Sequence, residues 1–162
     1  EIKLRENKKI FKSAKIKTKH YQVVGAEASY LHGPVQFEGE YISNFIEKDS
    51  VRFSGWHIQS NYILTGESRT YDHKNGKFGA IKMSEGKGAW QLAARYSEID
   101  LHNKKYPGSQ GHSTSLALNW YVNSNLRITT SWINSKVKNF ATETEAVSKD
   151  YNLFDLRVQT TF

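Results

Sequence analysis

Three arginines stand in similar settings, in "LAARYSE" around Arg95, "NLRITT" around Arg127 and "FDLRVQ" around Arg157. Each occupies a polar position in a stretch where apolar and polar residues alternate. A guanidinium stays charged at any working pH and offers a planar fork of donors that grips phosphate with two hydrogen bonds. Three of them spaced along one wall would hand an anion from one to the next. Four acids, Glu27, Glu38, Glu40 and Asp155, share the same polar positions. Opposite charges on neighbouring strands pair and stiffen a sheet, so wall rigidity is as good a use of these charges as ion passage. A second basic group lies in "GESRTYDHKNGKFGAIKMSEGK", residues 66–87. There Arg69, Lys74, Lys77, Lys82 and Lys87 outnumber Glu67, Asp72 and Glu85, for a net charge of +2.

Other chemistry has little to stand on. The histidines (His20, His32, His57, His73, His102 and His112) show no HExxH or other metal-ligand spacing. Asp100 and His102 lie near serines, but nothing orders them around a nucleophile, and no GxSxG elbow is present. There is no cysteine and no glycine-rich phosphate loop. The expectation is a protein that is not an enzyme, with no catalytic residue, no metal and no cofactor.

The arginines and acids need strands to position them, and the alternation supplies strands. Successive side chains of a strand point to opposite faces, so period-two hydrophobicity marks a half-buried sheet. Seven segments carry it: 21–31, 35–45, 54–65, 88–101, 113–122, 125–135 and 151–162. Their apolar phases include Tyr30, Tyr41, Tyr62, Trp90, Trp120, Trp132 and the terminal Phe162. Each runs roughly ten residues or more, the length a tilted strand needs to cross a bilayer. An eighth strand is a poorer fit within 10–19, "IFKSAKIKTK". "LHGPV" and "VNSNL" read as tight turns, while the links at 46–52, 102–112 and 136–150 are longer and polar. Short turns at one end and longer loops at the other describe an antiparallel up-and-down membrane β-barrel. The 66–87 link is the exception, a long connection on the short-turn side, with Asn75-Gly76 as a hairpin tip. In this arrangement Phe162 ends the last strand at the periplasmic interface, where an aromatic ring sits well beside headgroups.

The chain has 162 residues, 24% charged and 13% aromatic, with a net charge of +7. No stretch approaches the eighteen apolar residues of a membrane helix. The start, "EIKLRENKKIFK", is polar and lacks a secretory signal, so a signal has been removed or this is an interior piece of a longer chain. Residues 1–19 hold eight basic residues against two acids, a net of +6, and leave the other 143 residues near neutral. The division expected is a basic N-terminal segment or loop, 1–19, and the strands, 20–162. A basic tail is commonly a solvated loop; it also suits nucleic acid or the anion-attracting mouth of a pore. The solvated loop is the first reading and the pore mouth a sharper one beside it, and no nucleic-acid partner is expected.

Several stretches resemble the C-terminal half of the phosphate-selective porins, the O and P type outer-membrane porins. They are "GAEASYLHGPVQFEGEYI" at 25–42, "SNYILTGESRTYD" at 60–72, "GAWQLAARYSEIDL" at 88–101, "LALNWYVNSNLRI" at 116–128 and the final "LFDLRVQTTF". The resemblance implies sixteen-stranded trimeric barrels in the bacterial outer membrane that pass phosphate-like anions by passive diffusion. Seven or eight strands would be half of such a barrel. The partners implied are inorganic anions such as phosphate, outer-membrane lipid, and either a homotrimer or a missing N-terminal half. Helped by the resemblance, the 66–87 link is expected to fold into the lumen and present Arg69, Lys74 and Lys77 to passing anions, alongside Arg95, Arg127 and Arg157 on the wall; a solvated periplasmic loop is an equal reading of the same link. The alternative is a small closed outer-membrane barrel with a structural or adhesive role. A soluble lipocalin-like binder is a third reading.

Overall fold

The computed structural model describes residues 10–83, 88–142 and 145–161. Phe162, Glu85, Lys87 and residues 1–9 of the basic segment lie outside the described residues. Seven strands form one antiparallel meander: β1 (Tyr21–His32), β2 (Val35–Ile46), β3 (Val51–Ile63), β6 (Ala89–Asp100), β7 (Ser109–Tyr121), β8 (Leu126–Phe140) and β9 (Ala146–Thr160). A separate hairpin, β4 (Arg69–Asp72) and β5 (Lys77–Ile81), fills the link between β3 and β6. The all-β, up-and-down architecture is the one the alternation implies. All seven predicted strands are present, and most run longer than the sequence pattern suggests.

The sheet is open. β1 and β9 are its two edges, and among the described residues neither pairs on its outer side. The small closed barrel is therefore not favoured. Closing a barrel needs the two edges to meet, and β1 and β9 do not pair with one another.

Register fixes two faces across the whole sheet. The outward face carries Tyr30, Phe37, Trp56, Ile58, Tyr62, Trp90, Leu92, Leu116, Trp120, Phe154 and Leu156, all substantially exposed. Trp90 and Trp120 are opposite one another and stack with ring centroids 5.4 Å apart. Trp56 and Tyr96 form a second aromatic contact, also at 5.4 Å. So much exposed aromatic and aliphatic surface is costly in water and is what a lipid-facing wall presents.

The two ends differ from the sequence expectation in instructive ways. The polar link at 136–150 is mostly strand, whereas 46–52 is a tight connection through the 3-10 turn Lys48–Ser50. β8 and β9 stay in register up to Phe140 and Ala146, and Lys136 stands opposite Asp150. Their polarity marks strand that continues beyond the apolar band, with backbone ladder bonds intact. Residues 10–19 are not an eighth strand. They form an extended strap held by one reciprocal pair of bonds: Lys12 N donates to Ser109 Oγ at 2.8 Å, and Ser109 N donates to Lys12 O at 2.9 Å. Ile10 is buried, and Ile16 packs on the cluster of Ile46, Val51 and Phe53 with Leu101 and Tyr106. Lys12, Lys15, Lys17 and Lys19 stay exposed. The apolar side chains seat the strap on the inner face, so the ladder of a true strand is not needed.

At this loop end the wall has reversed polarity. Its inner side carries Ile42, Ile99 and Val137, and its outer side carries Glu98, His112 and Lys136. The strap covers the part of this inner side around Ile46, Val51 and Phe53, while Ile42 stays exposed. The loops themselves are clipped together. Asp49, in the 3-10 turn Lys48–Ser50, accepts from Lys105 Nζ at 2.7 Å and from Tyr106 OH at 2.6 Å. The Lys105 ammonium, then the Tyr106 hydroxyl, hold the Asp49 carboxyl below its ordinary range, and Asp49 raises the Tyr106 phenol in return. Asp49 and Ser50 both adopt positive φ, 60° and 51°, a region that Asp tolerates better than most residues.

Candidate functional site: the inner wall and its inserted hairpin

The inner face is where the predicted charges meet. Arg127 lies nearest the short-turn end, opposite Gln159. Arg157 is one inward position further up, opposite Thr129. Arg95 is two inward positions higher again, in the row Glu38, Gln59, Arg95, Ser115. Each inward step is about 7 Å along a strand, so the three arginines stand at three heights on one wall. Arg127 Nη2 donates to Gln159 Oε1 at 2.6 Å, and Arg95 Nη1 reaches Gln59 Oε1 at 3.4 Å.

The four acids lie on the same wall. Glu27 and Glu40 are direct cross-strand neighbours on β1 and β2. Glu40 Oε2 lies 3.6 Å from His57 Nδ1, an ion pair when that ring is protonated. Glu38 Oε1 accepts from Gln36 Nε2 at 2.8 Å. Asp155 lies 4.0 Å from the Arg157 guanidinium. That last contact is the one acid–arginine pair among the described wall residues, and it is long. Glu38 and Glu40 are thus held by an amide and a histidine, Arg95 by an amide, and Arg127 by an amide and a hydroxyl.

The inserted hairpin attaches to this face at its base. Ile81 is buried against Ile63 and Ala89, with Met83 and Tyr121 packed around them. Arg69 Nη2 donates to Tyr121 OH at 2.9 Å. Arg127 Nη1 points at the same oxygen from the wall, at 3.4 Å, with its guanidinium carbon 5.6 Å from the Tyr121 ring. Tyr121 OH in turn donates to Gln91 Oε1 at 3.0 Å, which also accepts from Asn119 Nδ2 at 3.2 Å. Thr129 Oγ1 completes the chain by donating to Asn119 Oδ1 at 2.7 Å. Arg69 Nε is buried with no hydrogen-bond partner. Two guanidiniums on one neutral hydroxyl, with a spare buried donor, make a strongly electropositive corner.

At the hairpin tip the chain turns through residues 73–76, with Gly76 at φ 61°. Asp72 receives the backbone N–H of Lys74 at 3.0 Å and of Asn75 at 3.3 Å, and the Asn75 amide at 2.7 Å. The Asn75 side chain leads in holding the Asp72 carboxyl below its ordinary range. Lys74 and Lys77 are exposed at this tip, about 13 Å or more from the base where Arg69 sits, at strand spacing.

Two features of the wall escape the sequence pattern. One is the polar network of Tyr121, Gln91, Asn119 and Thr129, whose members read singly as ordinary inward polar residues. The other is a row of hydroxyls: Ser97, Ser113, Ser135 and Tyr151 are successive cross-strand neighbours beside His57, with Ser113 Oγ and Ser135 Oγ 2.9 Å apart. Only register reveals such a row, because its members are spread over more than fifty residues of sequence. Between this row and the strap lies a cleft of about 930 Å³ that Arg95 also lines.

The whole chain, residues 1–162, matches the family of phosphate-selective porin O and P. The chain belongs to that family. A phosphate-selective porin of this kind is a bacterial outer-membrane protein. The chain is also 28% identical to Porin O of Pseudomonas aeruginosa over 129 residues, which cover 70% of this chain and 30% of that protein. It therefore spans under a third of the length of the curated relative that it matches.

Proposed function

We propose that this chain forms one side of a pore through which small anions, phosphate among them, diffuse passively across the outer membrane. The observation that carries the reading is the corner where Arg69 of the hairpin and Arg127 of the wall share Tyr121 OH, with Arg69 Nε left over. Among the described residues no carboxylate lies within ion-pair distance of either guanidinium. A phosphate oxygen arriving there would accept donors that the protein leaves unsatisfied.

The path then runs along one wall. The strap lysines concentrate anions at the loop end, taken as the outer mouth, because a surface of one sign raises the local concentration of its counter-ion. The hydroxyl row offers neutral donors, Arg95 and Arg157 follow, and the Arg69–Arg127 corner lies near the exit. No bond is made or broken. Donors replace the hydration shell in small steps, each weak enough to release its ion. Lys74 and Lys77 at the hairpin tip add positive charge to the same lumen. The open edges at β1 and β9 cannot face hydrocarbon unpaired. Further strands must complete the wall, in keeping with half of a sixteen-stranded barrel and a trimeric assembly.

The hairpin's share is tested by Lys74→Glu combined with Lys77→Glu in the whole protein. The anion-to-cation permeability ratio in planar bilayers should fall. An unchanged ratio would remove the hairpin tip from the path.

A further inference from the structure

One arginine stands on the other side of the wall. Arg52 is at the loop end of β3, opposite Phe45 of β2. Its flanking residues Val51 and Phe53 point inward and are buried in the cluster under the strap. Arg52 therefore points outward, on the same face as Trp56 and Ile58, and it is exposed.

An exposed surface arginine is ordinarily free to wander, but three contacts hold this one. Its Nε donates to Ser43 Oγ at 2.9 Å, its Nη2 donates to Tyr41 OH, and its guanidinium carbon lies 5.0 Å from the centre of the Phe45 ring. Ser43 itself is buried beneath it. The fork is pre-oriented, which lowers the entropy lost when it grips a ligand. Among the described residues no carboxylate lies within ion-pair distance. The outward acids nearest in register are Asp100 and Glu98. Asp100 is taken up by Gln110 Nε2 at 3.0 Å and the His102 backbone N–H at 2.9 Å.

Below this group the outward face becomes apolar and shallow. Ala28, Gly39 and Ser60 lie between Tyr30 and Phe37 on one side and Tyr96 on the other, forming a groove of about 580 Å³. The groove starts about 13 Å below Ser43 at strand spacing. A single molecule that meets both features carries an anion at one end and an aliphatic chain at the other.

We infer that Arg52, set by Ser43, Tyr41 and Phe45, is a binding site for the phosphate headgroup of an outer-leaflet membrane lipid whose acyl chain lies in the Ala28–Gly39–Ser60 groove. The site is separate from the anion path and rests on the outward face meeting lipid with the loop end outermost. Charge complementarity selects a phosphorylated lipid over a neutral one, and the apolar groove selects a lipid over free phosphate.

The whole protein, delipidated in non-ionic detergent, would be titrated with bisphosphorylated lipid A and with its dephosphorylated form, and the bound lipid counted by native mass spectrometry. The phosphorylated lipid should bind about tenfold more tightly, as loss of a charge-assisted contact implies. Arg52→Ala should abolish that preference. Tyr41→Phe, which keeps the charge but loses one of the contacts that orient it, should reduce it and serves if Arg52→Ala does not fold. Equal binding of the two lipids by the wild type would overturn the inference. So would a preference that survives Arg52→Ala, or complete displacement of the lipid by millimolar inorganic phosphate. Loss of the oligomer in Arg52→Ala with the lipid preference intact would make this face a subunit contact and overturn it as well. Single-channel current read on the same samples keeps the outcome distinct from the pore reading, which predicts unchanged conductance in Arg52→Ala.

Discussion

Tyr121→Phe is the sharpest probe of the corner that the pore reading depends on. Phenylalanine keeps the ring that packs beside Ile63, Ile81 and Ala89 and keeps the face that Arg127 covers at 5.6 Å. Only the hydroxyl goes. With it go an acceptor for Arg69 at 2.9 Å, a long one for Arg127 at 3.4 Å, and the donor to Gln91 at 3.0 Å. A hydrogen bond from a charged donor contributes about 1.5–3 kcal/mol and a neutral one about 1 kcal/mol. The Arg127 contact is too long to count for much. Gln91 keeps Asn119 as a donor, and Tyr121 is only half-buried, which trims the total. The expected loss is about 2 kcal/mol. It would be read from urea unfolding of the whole protein in lipid vesicles by tryptophan fluorescence, with the slope unchanged. The hairpin base should also become accessible to protease at Lys82. A change smaller than about 0.5 kcal/mol, the scatter of ordinary surface substitutions, would refute the claim that Tyr121 ties the hairpin to the wall.

The strap and the loop clip give two further predictions. A Cβ on Gly111 would lie 2.5 Å from Lys136 O and 2.9 Å from the Phe11 ring. Gly111→Ala should therefore lift the strap at a cost of about 1–3 kcal/mol, seen as faster trypsin cleavage among Lys12, Lys15, Lys17 and Lys19. The clip at Asp49 should depend on pH. A carboxyl held low in the folded state stabilises above its unfolded value, and that stabilisation is lost as pH falls through the folded one. Tyr106, raised by the same contact, contributes below its unfolded value and loses its share as pH rises through its folded one. Amide protection factors in residues 101–108, taken relative to the intrinsic exchange rate at each pH, should thus fall at acid pH in the wild type, and Asp49→Asn should remove that acid step.

Much of this molecule is legible in the sequence because a strand's period is two and each inward or outward phase repeats without slippage. That is why the faces of Arg95, Arg127 and Arg157, and of Glu27, Glu38, Glu40 and Asp155, agree with the register. Strand ends are less legible. Lys136, Lys138 and Ser148 read as loop, yet they continue β8 and β9, since backbone pairing beyond a membrane band asks nothing of hydrophobicity. The strap reads as a weak strand because lysines alternate with Ile10, Ala14 and Ile16; the apolar inner patch that it covers becomes visible only once β3, β6, β7 and β8 are side by side. Tyr121 as the meeting point of Arg69 and Arg127 lies beyond any local pattern, being set by a contact across 52 residues.

The central claim is that the wall selects anions. The most direct measurement is the zero-current potential of the whole protein in a planar bilayer under a salt gradient, first in potassium chloride and then in potassium phosphate. A potential on the anion side in both salts, moved toward zero by Arg69→Ala combined with Arg127→Ala, is the predicted result. A cation-side potential, or one unmoved by removing both arginines, would contradict the account.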